Sequence, residues 1–131
     1  MAQQAKNIKV LIAEDDKDIC EMYSTAFMKE GFTVYKAMEG RTAIEKYYMK
    51  QPDVILLDIM MPDVDGYEVL KEVRKRHDKY VPVVMLTNLD MEHFARRDSI
   101  DRVDAYLIKS NFTPSEIVKK TKEVLEVNKR L

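Results

Sequence analysis

The most informative absences in this sequence concern cysteine, glycine, net charge and long apolar runs. The single cysteine, Cys20, cannot form an internal disulfide, and we expect a structural thiol within a helix. Three glycines in 131 residues leave no glycine-rich phosphate loop and no dinucleotide-binding fingerprint. The formal net charge of −1, without a basic stripe, argues against direct nucleic-acid binding. No apolar run approaches the roughly 18 residues that span a membrane, so we expect no membrane insertion.

The length and the first residues set the expected domain organisation. A chain of 131 residues is long enough for one domain with a sizeable core. The first seven residues are polar and lack the apolar core of a signal peptide. We therefore expect a flexible lead-in over 1–7, a single domain over 8–131, and a cytoplasmic protein.

Four short apolar runs in the sequence end on residues that can do chemistry. They are 10–13 before Glu14 and Asp15, 54–57 before Asp58, 83–86 before Thr87, and 105–108 before Lys109. Continuous apolar runs are typical of buried parallel strands, because helices cover both faces of the sheet. Ligands in open α/β sheets bind beyond the carboxyl ends of the strands. The runs therefore predict that three acids, a hydroxyl and an ammonium converge at one sheet edge.

Helical patterns alternate with the predicted strands. Asp16 can cap a first helix, and Gly31 can end it because glycine tolerates a positive φ. The inward faces of the first two helices are predicted from spacings of three and four residues: Ile19, Met22, Tyr23, Ala26 and Phe27, then Ala43, Ile44, Tyr47 and Tyr48.

The later helices differ in how strongly the sequence marks them. One helix is predicted to begin near Gly66. Another, over 91–101, has a poor apolar face, and a weakly packed helix opens at low local cost. The last helix has a well-marked start, with Thr113 as N-cap, Pro114 at the first helical position and Glu116 completing a capping box.

Strands and helices in alternation imply right-handed crossovers and a parallel sheet with helices on both faces. We predict a doubly wound, three-layer α/β/α fold of the flavodoxin-like type, with five parallel strands in the order 2-1-3-4-5. The second strand, 32–37, contains polar residues and precedes no reactive group, which suits an edge. In this order the first and third strands are neighbours, so Glu14, Asp15 and Asp58 are expected to meet.

The residues expected at this edge suit phosphoryl chemistry with a divalent cation. Mg²⁺ prefers oxygen ligands, which Asp15 and Asp58 can supply directly and Glu14 through a water. An aspartate carboxylate can itself be the nucleophile and form an aspartyl phosphate. The Lys109 ammonium and the Thr87 hydroxyl can then contact phosphoryl oxygens. Taken singly, these residues also suit solvated strand-end acids, a surface lysine and a capping hydroxyl.

The sequence resembles the receiver domain of two-component response regulators from about residue 8 to residue 125. The resemblance depends on a set of motifs that is specific in combination: Glu14-Asp15, Asp58-Ile59-Met60-Met61-Pro62 with Asp65-Gly66, Thr87, and Tyr106 three places before Lys109.

The resemblance implies a phosphoacceptor with a bound metal. Asp58 would take a phosphoryl group from the phosphohistidine of a sensor histidine kinase or a phosphotransfer protein. Asp15, Asp58 and the backbone carbonyl of Met60 would hold Mg²⁺, and Glu14 would assist through a water. Lys109 would contact the phosphoryl oxygens. The chain would catalyse only its own phosphorylation and dephosphorylation.

The resemblance also implies a switch. Thr87 would move toward the phosphoryl group and Tyr106 would rotate inward. Those shifts would remodel the face made by the predicted helix over 91–101, the fifth strand and the last helix. A downstream protein partner or an output domain would read that face.

The sequence departs from the family pattern at three places. Ser110 stands where a proline, often with a cis bond, usually follows the lysine, so we expect a trans bond and a slightly different loop. Arg102-Val103 replaces a Gly-Ala pair before the fifth strand. Met60 and Leu89, two places beyond the phosphoacceptor and the hydroxyl, are both apolar. The resemblance implies that these two positions tune how water reaches the phosphoryl group, so we hypothesise slow self-dephosphorylation.

Three alternatives remain at this stage. An aspartate-nucleophile phosphatase of the haloacid-dehalogenase type needs a second acid where this chain has Met60. A calcium loop is echoed by Asp63, Asp65, Gly66 and Glu72, but an apolar residue occupies its first position. A phosphorylation-independent interaction module is disfavoured because every acidic and basic site residue is present.

Overall fold

The structure, a computed structural model, describes residues 7–88 and 102–131. Leu89, the predicted helix over 91–101 and positions 1–6 of the expected lead-in lie outside the described residues. The elements follow in the order β1 Lys9–Ala13, α1 Lys17–Lys29, β2 Thr33–Ala37, α2 Gly40–Lys50, β3 Val54–Asp58, α3 Gly66–Arg74, β4 Val83–Thr87, β5 Ala105–Ile108, a 3₁₀ turn Lys109–Asn111, and α4 Pro114–Val127.

The sheet confirms the predicted fold class and strand order. Five parallel strands lie in the order β2-β1-β3-β4-β5. The register pairs Ala13 with Leu57, Asp58 with Leu86, and Thr87 with Ile108, so the carboxyl ends of neighbouring strands lie side by side. This alignment places the residues that follow each strand at one edge.

The alternation of side chains along each strand divides the core in two. Leu11 and Ala13 point to the layer that contains buried residues of α2 and α3. Val10 and Ile12 point to the opposite layer, which contains buried residues of α1 and α4. The central strands β3 and β4 are buried along their whole length, as expected for strands covered on both faces.

Two of the predicted inward residues are wrong. Met22 is 52% exposed and Tyr48 is 44% exposed. In α1 the buried stripe consists of Cys20, Tyr23, Ser24 and Phe27, which is rotated away from Met22. In α2 the ring of Tyr47 takes the inner position, and Tyr48 packs edge-on against it at a centroid distance of 5.0 Å.

The predicted helix ends are confirmed. Gly31 has a φ of 90°, and the amide of the next residue, Phe32, donates to the carbonyl of Phe27, which closes α1. At α4 the Glu116 amide donates to Thr113 Oγ1 at 3.2 Å. The Thr113 amide donates to Glu116 Oε1 at 2.8 Å and completes the capping box.

The chain beyond β5 follows the expectation for Ser110. All peptide bonds within the described residues are trans, so the bond between Lys109 and Ser110 is trans as predicted. Lys109, Ser110 and Asn111 form a 3₁₀ turn directly after β5. Within 7–88 and 102–131, no helix is both long enough and apolar enough to cross a bilayer.

Candidate functional site

The centre of the candidate site is an ammonium between two buried carboxylates. Glu14 directly follows β1, Asp58 is the last residue of β3, and Lys109 directly follows β5. The Lys109 Nζ lies 2.5 Å from Glu14 Oε1 and 3.2 Å from Asp58 Oδ2. The two carboxylate side chains are 1% and 3% exposed and that of Lys109 is 11% exposed, so water screens these charges little.

Three carboxylates meet at this point. Glu14, Asp15 and Asp58 each offer an oxygen, and these oxygens lie within 4.8 Å of one another. Glu14 and Asp58 are buried, whereas Asp15 is exposed and reaches the cluster from the solvent side. Three negative charges face the single ammonium of Lys109, so the protein alone leaves an excess of negative charge. A cluster of hard oxygen donors with this excess fits a divalent cation such as Mg²⁺.

The excess of negative charge affects the pKa of Asp58. The pKa of Asp58 is raised from 3.8 to about 7, first by burial and then by the negative charge of Glu14, while Lys109 and the amide of Met60 oppose the shift. Burial alone lowers the pKa of Lys109, but its hydrogen bond to Glu14 and the charge of Asp58 raise it, with a net upward shift. Lys109 is therefore held charged, whereas Asp58 is only partly ionised at neutral pH without a further positive charge.

The loop from β3 to α3 makes close backbone contacts at two glycines, at Gly66 against Asp58 and at Gly40 of α2 against Val64. The Met60 amide donates to Asp58 Oδ1 at 3.3 Å. A Cβ on Gly66 would lie 2.4 Å from the backbone oxygen of Asp58, and a Cβ on Gly40 would lie 1.9 Å from the backbone oxygen of Val64. Only a residue without a Cβ permits either approach, so Gly40 and Gly66 determine how closely the backbone of this loop packs against its neighbours.

Thr87 and Tyr106 lie on the strands beside the acidic cluster. Thr87 ends β4 and is fully buried, and β4 is the neighbour of β3. Tyr106 lies in β5, is half-buried and packs against the core layer that contains α2 and α3. Burial raises the pKa of Tyr106. The roles predicted for these two residues in switching stay predictions.

Some features of the site were missed by the sequence reasoning. The hydrogen bond from Lys109 to Glu14 was not foreseen, because β3 and β4 lie between the strands that precede the two residues. Glu14 also accepts the amide of Asp16 at 3.0 Å, which fixes the carboxylate at the start of α1. Gly40 is far in the sequence from every predicted site residue, so nothing in the sequence indicated its contact with Val64 of the loop.

The calcium-loop alternative is wrong. Glu72, which would be its last ligand, lies within helix α3 and forms an ion pair with Lys75 at 2.9 Å. Asp65 is the N-cap of the same helix, and its carboxylate accepts the amide of Glu68 at 2.9 Å. Within the residues that the structure describes, Glu14, Asp15 and Asp58 form the only group of three or more candidate ligands.

Comparisons with known proteins point to one family. The sequence matches the family model described as response regulator receiver domain over residues 10–122. It is similar to the solved structure of the chemotaxis response regulator CheY4 of Vibrio cholerae, with 31% identity, a TM-score of 0.82, and coverage of 92% of this chain and 100% of that chain. The receiver domain of the Francisella response regulator 1452 shows 33% identity, a TM-score of 0.81, and coverage of 93% and 99%. A CheY-like receiver domain protein of Methanospirillum hungatei shows 25% identity, a TM-score of 0.82, and coverage of 95% and 98%.

Proposed function

This chain belongs to the family of response regulator receiver domains, and we propose that within it Asp58 accepts a phosphoryl group from the phosphohistidine of a sensor histidine kinase or a phosphotransfer protein. The observation that carries the proposal is the placement of the Asp58 carboxylate, buried at the end of β3, between the Lys109 ammonium and two further acids.

The proposed transfer needs no general base. One Asp58 carboxylate oxygen attacks phosphorus, the bond from phosphorus to the imidazole nitrogen breaks, and the imidazole leaves with its electron pair. The Met60 amide and Lys109 each contact an Asp58 oxygen, so they orient the nucleophile and partly balance its charge. Lys109, held charged by Glu14, then contacts a phosphoryl oxygen.

The proposed cofactor is Mg²⁺. Asp15, Asp58 and the backbone carbonyl of Met60 would hold it, and Glu14 would assist through a water. Bound there, the cation would supply positive charge to the phosphoryl oxygens and would favour the ionised form of Asp58. The excess of carboxylates over ammonium in the cluster supports this assignment.

The proposed readout runs through β4 and β5. The Thr87 hydroxyl would contact the phosphoryl group and Tyr106 would rotate inward. Between β5 and α4 lies a groove of about 450 Å³, whose lining includes Tyr106, Phe112 and Val124. We propose that a downstream protein partner or an output domain is controlled through the face formed by β5 and α4; the predicted helix over 91–101, which the prediction adds to this face, lies outside the described residues.

Receiver domains are regulatory modules rather than metabolic enzymes. For this chain we propose that any catalysis is limited to its own phosphorylation and dephosphorylation, without direct contact to nucleic acid. We propose that positions 1–7 are a lead-in to the receiver domain over 8–131, and that the domain works in the cytoplasm, where a kinase can reach it.

The proposed function is tested by intact mass after incubation with acetyl phosphate and Mg²⁺. The wild-type protein is expected to gain one phosphoryl group, and Asp58→Asn is expected to gain none. Asp63→Asn is the matched control, because Asp63 is an exposed aspartate on the same loop with a φ of 63° that asparagine also tolerates.

Other outcomes separate the alternatives. If Asp58→Asn gains the group and Asp63→Asn does not, Asp58 is not the phosphoacceptor. If the wild type gains nothing with a competent donor, the interaction module is favoured. Steady hydrolysis of a phosphate ester would favour the phosphatase.

A further inference from the structure

We infer that the thioether of Met60 is a site of reversible oxidation, and that its sulfoxide shortens the lifetime of the phosphoryl group on Asp58. The inference rests on the proposed function of Asp58 and adds a chemical input to the same site. The oxidant is hydrogen peroxide or a related hydroperoxide.

Exposure makes Met60 available to such an oxidant. The sequence contains nine methionines, and Met60 is 61% exposed. The one thiol of the chain competes poorly for peroxide, because Cys20 is 2% exposed and burial raises its pKa, so little thiolate forms. Oxidation at low peroxide is therefore expected at exposed methionines rather than at the cysteine.

Position makes Met60 consequential. Its amide donates to Asp58 Oδ1 at 3.3 Å, so the residue is fixed against the carboxylate that would carry the phosphoryl group. Asp58 itself is 2% exposed, whereas Met60 lies two residues further along the chain on the solvent side of the loop. In the sequence, Met60 is thus the residue nearest to the buried Asp58 that has an exposed side chain.

The oxidation balances with peroxide alone. A sulfur lone pair attacks one peroxide oxygen, the O–O bond breaks, and water leaves after proton transfer. Sulfur is oxidised by two electrons and the peroxide is reduced by two. The product is a polar sulfoxide that methionine sulfoxide reductases return to the thioether.

Oxidation to the sulfoxide makes the Met60 side chain a stronger hydrogen-bond acceptor for water. A thioether is a weak hydrogen-bond acceptor, whereas a sulfoxide oxygen is polar and accepts hydrogen bonds. In dephosphorylation a water attacks phosphorus, the bond from phosphorus to the Asp58 oxygen breaks, and the carboxylate and inorganic phosphate separate. A sulfoxide that holds this water accelerates the step about fivefold, the rate equivalent of one net hydrogen bond in the transition state.

The test measures the half-life of the phosphorylated protein before and after treatment with dilute peroxide. The protein is phosphorylated with acetyl phosphate and Mg²⁺, the donor is removed, and decay is followed by intact mass. Peptide mass gives the occupancy of each sulfoxide. Met60→Leu keeps an apolar side chain that cannot be oxidised. Met49→Leu is the matched control, because Met49 is 73% exposed and lies near the end of α2, outside the acidic cluster.

The result is read as the ratio of half-lives without and with peroxide for each protein. We expect a ratio of about five for the wild type and Met49→Leu, a ratio near one for Met60→Leu, and recovery after a sulfoxide reductase. The inference is overturned if Met60→Leu responds like the wild type, or if oxidised Met60 leaves the half-life unchanged. Failure of the untreated wild type to accept a phosphoryl group on Asp58 would instead overturn the proposed function.

Discussion

Lys109 donates a hydrogen bond of 2.5 Å to Glu14, although the two residues are 95 positions apart and follow the first and the last strand of the chain. The lysine lies between Glu14 and the proposed phosphoacceptor, from which its Nζ is 3.2 Å away. The same ammonium therefore compensates two buried carboxylates. A phosphoryl group on Asp58 would therefore contact an ammonium, that of Lys109, which already forms an ion pair with Glu14.

Lys109→Met is expected to destabilise the metal-free protein by about 3–5 kcal/mol, because two buried carboxylates lose their counter-charge. The measurement is urea unfolding in a chelator near pH 8. Added Mg²⁺ is expected to recover part of the loss in the variant. The control is Lys122→Met, since Lys122 pairs with a 44% exposed Glu30 and its removal should cost no more than about 1 kcal/mol. Equal losses in the two variants would contradict a buried, shared ammonium.

The stability of the metal-free protein is expected to fall as the pH rises toward neutrality. The pKa of Asp58 is raised from 3.8 to about 7 on folding, so between these values the native state binds the proton more tightly than the unfolded chain. This contribution is fully present below about pH 4 and is lost as the pH passes about 7, for a change of up to about 4 kcal/mol.

The check on this pH dependence is urea unfolding in a chelator at about pH 5 and about pH 8, with Asp58→Asn as the comparison. The asparagine does not titrate, so the difference between the two proteins isolates Asp58 from other groups. We expect the free energy of unfolding of Asp58→Asn to rise relative to that of the wild type as the pH rises. Parallel curves for the two proteins would refute the raised pKa.

Much of the fold followed from the sequence because its signals are local. The capping box at Thr113 and Glu116 and the glycine end of α1 each depend on a few neighbouring residues, and both are confirmed. The apolar runs predicted the strands, and their alternation with helices predicted the sheet order. The inward position of Met22 was wrong, because the helical rotation that buries Cys20 and Ser24 is set by tertiary packing and not by hydrophobicity.

The site was predicted in outline, and its missed contacts are nonlocal. Adjacency of β1 and β3 was enough to bring Glu14, Asp15 and Asp58 together. The hydrogen bond from Lys109 to Glu14 depends on the length of the lysine side chain and on the position of the backbone just after β5. The approach of Gly40 to the loop depends on how α2 packs. Neither is encoded in spacing along the chain.

Gly66→Ala is expected to weaken Mg²⁺ binding and to destabilise the protein by about 1–3 kcal/mol, because the added Cβ would lie 2.4 Å from the backbone oxygen of Asp58. Gly40→Ala is expected to act in the same direction through Val64. Mg²⁺ affinity is measured by titration calorimetry. Gly31→Ala is the control, since its φ of 90° makes alanine strained there but the position lies at the end of α1. If Gly31→Ala lowers the Mg²⁺ affinity as much as Gly66→Ala, the effect reflects stability and not the loop.

Met60→Asn is expected to shorten the half-life of the phosphorylated protein, which we expect to be minutes or longer in the wild type. The apolar Met60 side chain beside a buried Asp58 offers water only a weak hydrogen-bond acceptor, whereas an asparagine amide can both donate and accept. Decay of the phosphoprotein in Mg²⁺, followed by intact mass, gives the half-life. Met49→Asn places the same polar change on α2 and is expected to leave the half-life unchanged. A wild-type half-life of seconds that Met60→Asn does not alter would show that Met60 does not control access of water to the phosphoryl group.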